Sequence, residues 1–429
     1  MILPRLKIMG GRVIDPASQL DKVTDIFIAD GKIFALGSTP AGFSSDKVID
    51  ARNKVVCPGL IDICARLREP GLEHKATIAS ETDAAARGGI TTLVTPPDTD
   101  PVIDTPAVVE LIHQRASNDG KAKVEVLGAM TQMLDGEHLA EMGALRAAGC
   151  VGVSNATIPL KSSQIMRRVM EYAATFDLTV FVLPNDPDLS LDGVIHEGQV
   201  STRLGLPGIP ETAETVILAR DLLLAEQTGA RIHVLHVSTR RGVEMIADAK
   251  RRGLNVTASV TAHHLILDQS NALDFNSTCN VFPPLRSSDD RAGLRDGIKN
   301  NTVRVICSDH QPHESDAKQN PFPTTQPGIS ALETLLPLTL MAGTATGITL
   351  PQTLALVTLA PAQVLNIDKG QIKPSAPADL CIFEPDREWR LSKSNMKSRG
   401  HNSPFLNMNL RGSVSETLVE GKIVYRRDP

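Results

Sequence analysis

From residue 58 onward the chain alternates between short apolar runs and longer stretches with apolar residues at helical spacing, and this alternation restricts the fold more than any other feature. Eight candidate strands recur, at 59–63, 90–94, 123–127, 150–153, 178–183, 231–235, 254–259 and 302–307. Helical spacing is clearest over 165–176, 212–226 and 241–251. Strands that read as continuous apolar runs, separated by helices, call for a parallel sheet covered on both faces. Eight β/α units over about 300 residues is the size of a TIM barrel. Aromatic residues make up only 3% of the chain, so the core must be mainly aliphatic, which suits β/α packing.

Both ends carry a different rhythm. Residues 6–9, 12–14, 25–29, 32–36 and 47–49 have β-type patterns, punctuated by Gly10-Gly11, Asp15-Pro16 and Asp30-Gly31. After residue 365 the β pattern returns at 378–383 and 414–424, with Glu420-Gly421 as a hairpin turn. The expected architecture is α/β: a (β/α)8 barrel over 58–365 and a small flanking β-domain built from 1–57 and 366–429. The apolar segment 335–341 reads as a core helix, with an interface as the alternative.

With 429 residues, one large and one small domain is the natural division. The net charge of −5 and the absence of a long basic run argue against nucleic acid or an anionic membrane as partner. No apolar run is long enough to span a bilayer. The opening Met1-Ile-Leu-Pro-Arg-Leu-Lys lacks the pattern of a secretory signal, so the expected location is cytoplasmic. The six cysteines form no Cys-x-x-Cys pair and mostly sit in apolar stretches, as reduced buried thiols do. Cys64 is the exception.

Residues 58–71 read Pro-Gly-Leu-Ile-Asp-Ile-Cys-Ala-Arg-Leu-Arg-Glu-Pro-Gly. This frame resembles the dihydroorotase signature Asp-x-His-x-His-Leu-Arg-Glu-Pro-Gly, with Cys64 and Arg66 in place of the two histidines. The resemblance to dihydroorotases of the amidohydrolase superfamily continues along the chain. Ala84-Ala-Ala-Arg-Gly-Gly-Ile-Thr-Thr-Leu, Pro97-Asp-Thr-Asp-Pro and His196-Glu-Gly follow in family order. So do Leu206-Pro-Gly-Ile-Pro, His233-Val-Leu-His-Val-Ser-Thr, Thr261-Ala-His-His-Leu, Pro283-Pro-Leu-Arg, Ser308-Asp-His-Gln-Pro-His and Pro404-Phe.

The resemblance implies a site at the C-terminal ends of the barrel strands, where a metal-activated hydroxide attacks a cyclic amide. Carried over residue by residue, most of its ligands are missing. Arg66 has no lone pair to give and stays protonated. The bridging acid after strand four falls at Asn155, a poor ligand. The histidine after strand five falls near Leu183, which cannot ligate. His236 and Asp309 survive, the latter a ligand and proton carrier in the family. Arg68 and His313 match residues that bind the substrate carboxylate. Asp98 stands for an asparagine and is expected to repel an anionic substrate; Phe282 replaces another asparagine.

No cofactor is therefore expected. The alternative is a single zinc held by Cys64, His236 and Asp309, since a thiolate is a good zinc ligand. His263 and His264 read as satisfied structural histidines, the Gly205-Leu-Pro-Gly-Ile-Pro stretch as a rigid loop, and Glu69 and Glu73 as structural acids. The pattern is most similar to a non-catalytic dihydroorotase-like partner of bacterial aspartate carbamoyltransferase. That resemblance implies a homo- or hetero-oligomer in pyrimidine biosynthesis, with Asp309, Arg68, Asp98 and His313 vestigial. The rival expectation is an active cyclic amidohydrolase with a reduced metal site.

Overall fold

A computed structural model describes residues 3–428. Met1, Ile2 and Pro429, at the ends of the expected β-domain, lie outside the described residues. Eight parallel strands form the barrel: Leu60–Asp62, Ile90–Thr95, Lys123–Ala129, Gly152–Ser154, Val180–Val182, Ile232–Val234, Val256–Thr261 and Val305–Cys307. Each overlaps one of the eight apolar runs in the sequence. The first and last strands meet just beyond their ends. There Ala65 pairs with His310, and the Arg66 N–H donates to the His310 carbonyl at 2.9 Å.

The barrel interior is filled by Ile61, Ile63, Val94, Leu127, Phe181, Leu235, Val305 and Cys307. Phe181 requires a glycine opposite it, because a Cβ on Gly152 would lie 2.5 Å from its ring. The outer helices start where the side chains dictate. Thr77 caps Ile78–Arg87 by accepting from the Ser80 N–H, and Thr239 caps Arg240–Arg251 by accepting from Gly242. Helix Leu335–Thr346 buries Leu335, Leu336 and Leu338, so the core reading of 335–341 holds.

The flanking sheet runs in the order Lys422–Arg426, Asn409–Val419, Leu380–Arg390, Val55–Pro58, Leu6–Asp15, Leu20–Ala29, Lys32–Leu36, with Lys47–Asp50 also paired to Leu6–Asp15. Two details differ from the sequence expectation. Gly10-Gly11 is no turn: Leu6–Asp15 is one strand, with a register shift between Ile8 and Gly11 where Gly10 takes φ +69°. The strand Val55–Pro58 was not expected. It runs parallel to the N-terminal strand and antiparallel to Leu380–Arg390, so it joins the two ends of the chain in one sheet. Its four residues are too few to show a period. Among the described residues, no helix is long and apolar enough to cross a membrane.

Candidate functional site

At the C-terminal end of the barrel the first and eighth strands are tied together by Asp62. Its carboxylate accepts the Ser308 N–H at 3.0 Å and the Ser308 hydroxyl. Burial pushes the Asp62 pKa up to about 6, against the opposing pull of these Ser308 hydrogen bonds. This tie sets Cys64 and Asp309 side by side. The Cys64 Sγ lies 3.9 Å from Asp309 Oδ1, and His236 Nδ1 lies 3.9 Å from Asp309 Oδ2. One donor atom from each of the three falls within 4.8 Å of the others, and all three residues are buried. His236 and Asp309 both sit in left-handed backbone, at φ +52° and +46°. Strain of this kind at non-glycine residues gathers at functional sites.

A fourth residue occupies the centre. Arg66, also buried, donates from Nε to Asp98 at 2.7 Å and from NH1 to Asp309 at 3.0 Å. Burial alone would weaken its charge, but Asp98 and Asp309 outweigh that and hold its pKa above the ordinary arginine range. Gln311 adds hydrogen bonds to both Asp309 oxygens, at 3.2 and 3.1 Å. Burial, and then the Asp309 charge, push the Cys64 thiol well up, so it stays protonated. Burial lowers the His236 pKa, partly opposed by Asp309. Neither ring nitrogen of His236 has a hydrogen-bond partner.

Above this cluster lies a cleft of about 600 Å³, lined among others by Arg66, Arg68, Lys75, Asp98, Phe282, Gln311 and His313. Cys64, His236 and Asp309 are not in its lining. Arg66 and Gln311 therefore stand between the cleft and the three donors. Arg68 donates to the Pro312 carbonyl at 3.1 Å and lies 3.2 Å from His313 Nε2. Burial, and then the Arg66 charge, lower its pKa to about 10. His313 is held neutral: burial, then Arg68, take its pKa down to about 3. Lys75 donates to Nδ1 at 3.3 Å, so the ring proton sits on Nε2 and is given to the Pro327 carbonyl at 2.9 Å. Lys75 belongs to none of the sequence motifs and was missed.

Asp98, expected to repel an anionic substrate, is paired with Arg66 at 2.7 Å, and Arg66 is shared between it and Asp309. Asn155 and Leu183 lie away from the cleft, in the lining of a separate cavity of about 50 Å³. The Asn155 side chain is spent on its own loops, accepting from the Thr131 hydroxyl at 2.9 Å and donating to the Ile158 carbonyl at 3.1 Å. His264 is satisfied by Thr261 and the Pro284 carbonyl, as expected. His263 is not: it is buried with both nitrogens unpartnered. Glu69 and Glu73 serve structure. Glu69 accepts from Ile78 at the start of a helix, and both acids bind Arg115. A buried pair between His310 of the Ser308-Asp-His motif and Glu81 of helix Ile78–Arg87 was also missed. His310 Nε2 lies 2.8 Å from Glu81, and its Nδ1 accepts from the Ala331 N–H.

These residues do not fit a two-metal centre. A guanidinium fills the position of one imidazole, a leucine that of another, and the amide replacing the bridging acid is turned into its loop. Cys64, His236 and Asp309 are donor types that suit a single metal, but as arranged Arg66 holds the Asp309 carboxylate.

Comparison with known proteins identifies the family. A dihydro-orotase-like family model matches residues 53–242, and an amidohydrolase family model matches 326–425. A dihydroorotase-like protein of Pseudomonas aeruginosa is 48% identical over 98% of this chain and 99% of its own length. A dihydroorotase of Syntrophus aciditrophicus is 41% identical over 99% of this chain and 100% of its own. Among solved structures, the L-hydantoinase of Arthrobacter aurescens superposes with a TM-score of 0.88 at 23% identity, covering 99% of this chain and 96% of the other. That likeness shows the fold, a barrel with a small β-domain. Full-length similarity at 41–48% identity shows more: the chain belongs to the dihydroorotase family of the amidohydrolase superfamily.

Proposed function

We propose that this chain is a dihydroorotase-like protein of pyrimidine biosynthesis without dihydroorotase activity. It serves as the non-catalytic subunit of an aspartate carbamoyltransferase complex. One observation carries the loss of activity: the Arg66 guanidinium lies between Asp98 and Asp309, where the family's metal charge belongs. A metal lowers the pKa of bound water from about 15.7 to near 7. At 1.36 kcal/mol per unit, that is roughly 12 kcal/mol of acidity. Asp309 and His313 orient groups but do not replace such a nucleophile. The partner reading rests on the resemblance of the motif pattern. It also rests on the name "dihydroorotase-like protein" borne by the relatives at 48% and 46% identity.

Three measurements on purified protein test the proposal. Metal analysis after exposure to zinc gives well under two equivalents. Carbamoyl aspartate and dihydroorotate are not interconverted. Co-expression with the transferase of the same organism gives one peak on size exclusion. Separate elution at micromolar concentration, with the transferase fully active alone, ends the subunit reading.

A second reading has its own support in the unpartnered His236 and the three clustered donors. In it, Arg66 swings off Asp309 and one zinc binds Cys64, His236 and Asp309, giving a cyclic amide hydrolase. Zinc-dependent turnover lost in both Asp309→Ala and Cys64→Ala would establish it.

A further inference from the structure

We propose that the loops after the third, fourth and fifth barrel strands form a docking surface for a basic, apolar-tipped segment of a partner protein. The inference rests on the subunit reading above and locates the surface that reading requires. Met133, Ile158, Leu189, Leu191 and Val216 are all exposed large apolar side chains. They belong to neighbouring elements. The Lys161 N–H donates to the Gly136 carbonyl at 3.0 Å, joining the first two loops. The Asp186 N–H donates to the Ala213 carbonyl at 2.7 Å, joining the third loop to helix Thr212–Thr228. Single exposed apolar residues are ordinary, but a group on adjoining loops marks an interaction site.

The side chains are also held outward. Met133 is 69% exposed and sits in left-handed backbone at φ +51°, fixed by its N–H to the Asp104 carboxylate at 2.8 Å. A non-glycine residue keeps that conformation only when its surroundings enforce it. Asp186 accepts the N–H groups of Asp188 and Leu189, both at 3.0 Å, and so fixes the turn that presents Leu189 and the 73% exposed Leu191.

Charge identifies the occupant. Residues 183–197 contain Asp186, Asp188, Asp192 and Glu197 and no lysine or arginine. Among the described residues, none of these four acids has an ion-pair partner, whereas the nearby Glu137 and Asp221 are paired with Lys161 and Arg220. An apolar centre with an uncompensated acidic rim favours a basic protein segment and repels nucleic acid and anionic lipid. The same loops carry Asn155 and Leu183, the lost ligand positions. These line a small cavity with Ile158, Pro187 and Ile217 instead of facing the cleft.

The test uses the full chain and the aspartate carbamoyltransferase of the same organism. Affinity is measured by titration for the wild type, for Leu189→Asp/Leu191→Asp, and for Asp188→Asn/Asp192→Asn. All substituted residues are exposed, and an unchanged melting curve verifies folding. The leucine variant should bind on the order of tenfold more weakly or worse. The aspartate variant should associate more slowly and with less dependence on salt. Wild-type binding with both variants indistinguishable from it overturns this surface and leaves the subunit reading standing. No binding by the wild type overturns both. A wild-type dimer that the leucine variant loses, without transferase binding, makes the face a self-interface and also overturns the proposal.

Discussion

At residue 66 the chain places a buried guanidinium between two carboxylates, Asp98 and Asp309. Arg66 and Asp309 are both buried, so removing one leaves the other charge uncompensated in a poorly solvated place. Arg66→Met is expected to destabilise the protein by about 3–5 kcal/mol, read from denaturant unfolding. Arg66→Met/Asp309→Asn should recover part of the loss, because the fully buried Asp309 charge goes with its partner and only the partly exposed Asp98 is left unpaired; strictly additive effects would refute the coupling. His263 offers a second measurement. Burial, then His264 and His236, keep its pKa well below the ordinary 6.5, so the folded protein holds it neutral. Below pH 6.5 the unfolded chain binds a proton there that the folded state refuses. Its contribution is therefore intact above pH 6.5 and is lost as pH falls. His263→Met sacrifices no hydrogen bond, since neither nitrogen has one. The variant should show a smaller fall in melting temperature between pH 7.5 and 5.5 than the wild type. An equal fall would mean the ring is solvated.

At the scale of elements, what the sequence made legible follows from how far each signal reaches. The barrel strands are buried on both faces, so each shows as an apolar run whatever its partners. The hairpin at Glu420-Gly421 was legible too, since left-handed backbone at both positions, φ +47° and +73°, suits an acid followed by glycine. Val55–Pro58 was not legible, because its role depends on Leu380–Arg390, more than three hundred residues away in the chain. Ile382 pairs with Val56 in that seam, and both are fully buried in the sheet core. Ile382→Ala should cost about 2–5 kcal/mol. A loss below about 1 kcal/mol would show that the ends of the chain do not fold as one unit. Gly10-Gly11 misled for a related reason: glycines that signal a turn also serve a bulge, and only the pairing with Leu20–Ala29 distinguishes them.

For the whole molecule, the barrel mouth already holds a cation of its own, Arg66, between Asp98 and Asp309. Dialysis against a chelator is thus expected to leave the melting temperature unchanged, as followed by calorimetry. A drop of several degrees that zinc reverses would favour the single-metal reading. The departures from the family's ligand pattern were readable from the sequence, because whether a side chain can ligate is a property of its own atoms. Arg66 and Leu183 cannot do so in any fold. The family frame, the barrel and the β-rich ends were readable for a similar reason, since local pattern and composition carry them. How the residues at the barrel mouth pair with one another was not readable. The ion pairs of Arg66 with Asp98 and Asp309 join residues 32 and 243 positions apart. The turning of Asn155 into its loop and the isolation of His263 depend equally on which strands lie side by side. Local sequence fixes what each residue is able to do; the closed barrel decides which residues meet, because burial and distance set the strength of a charge or a hydrogen bond.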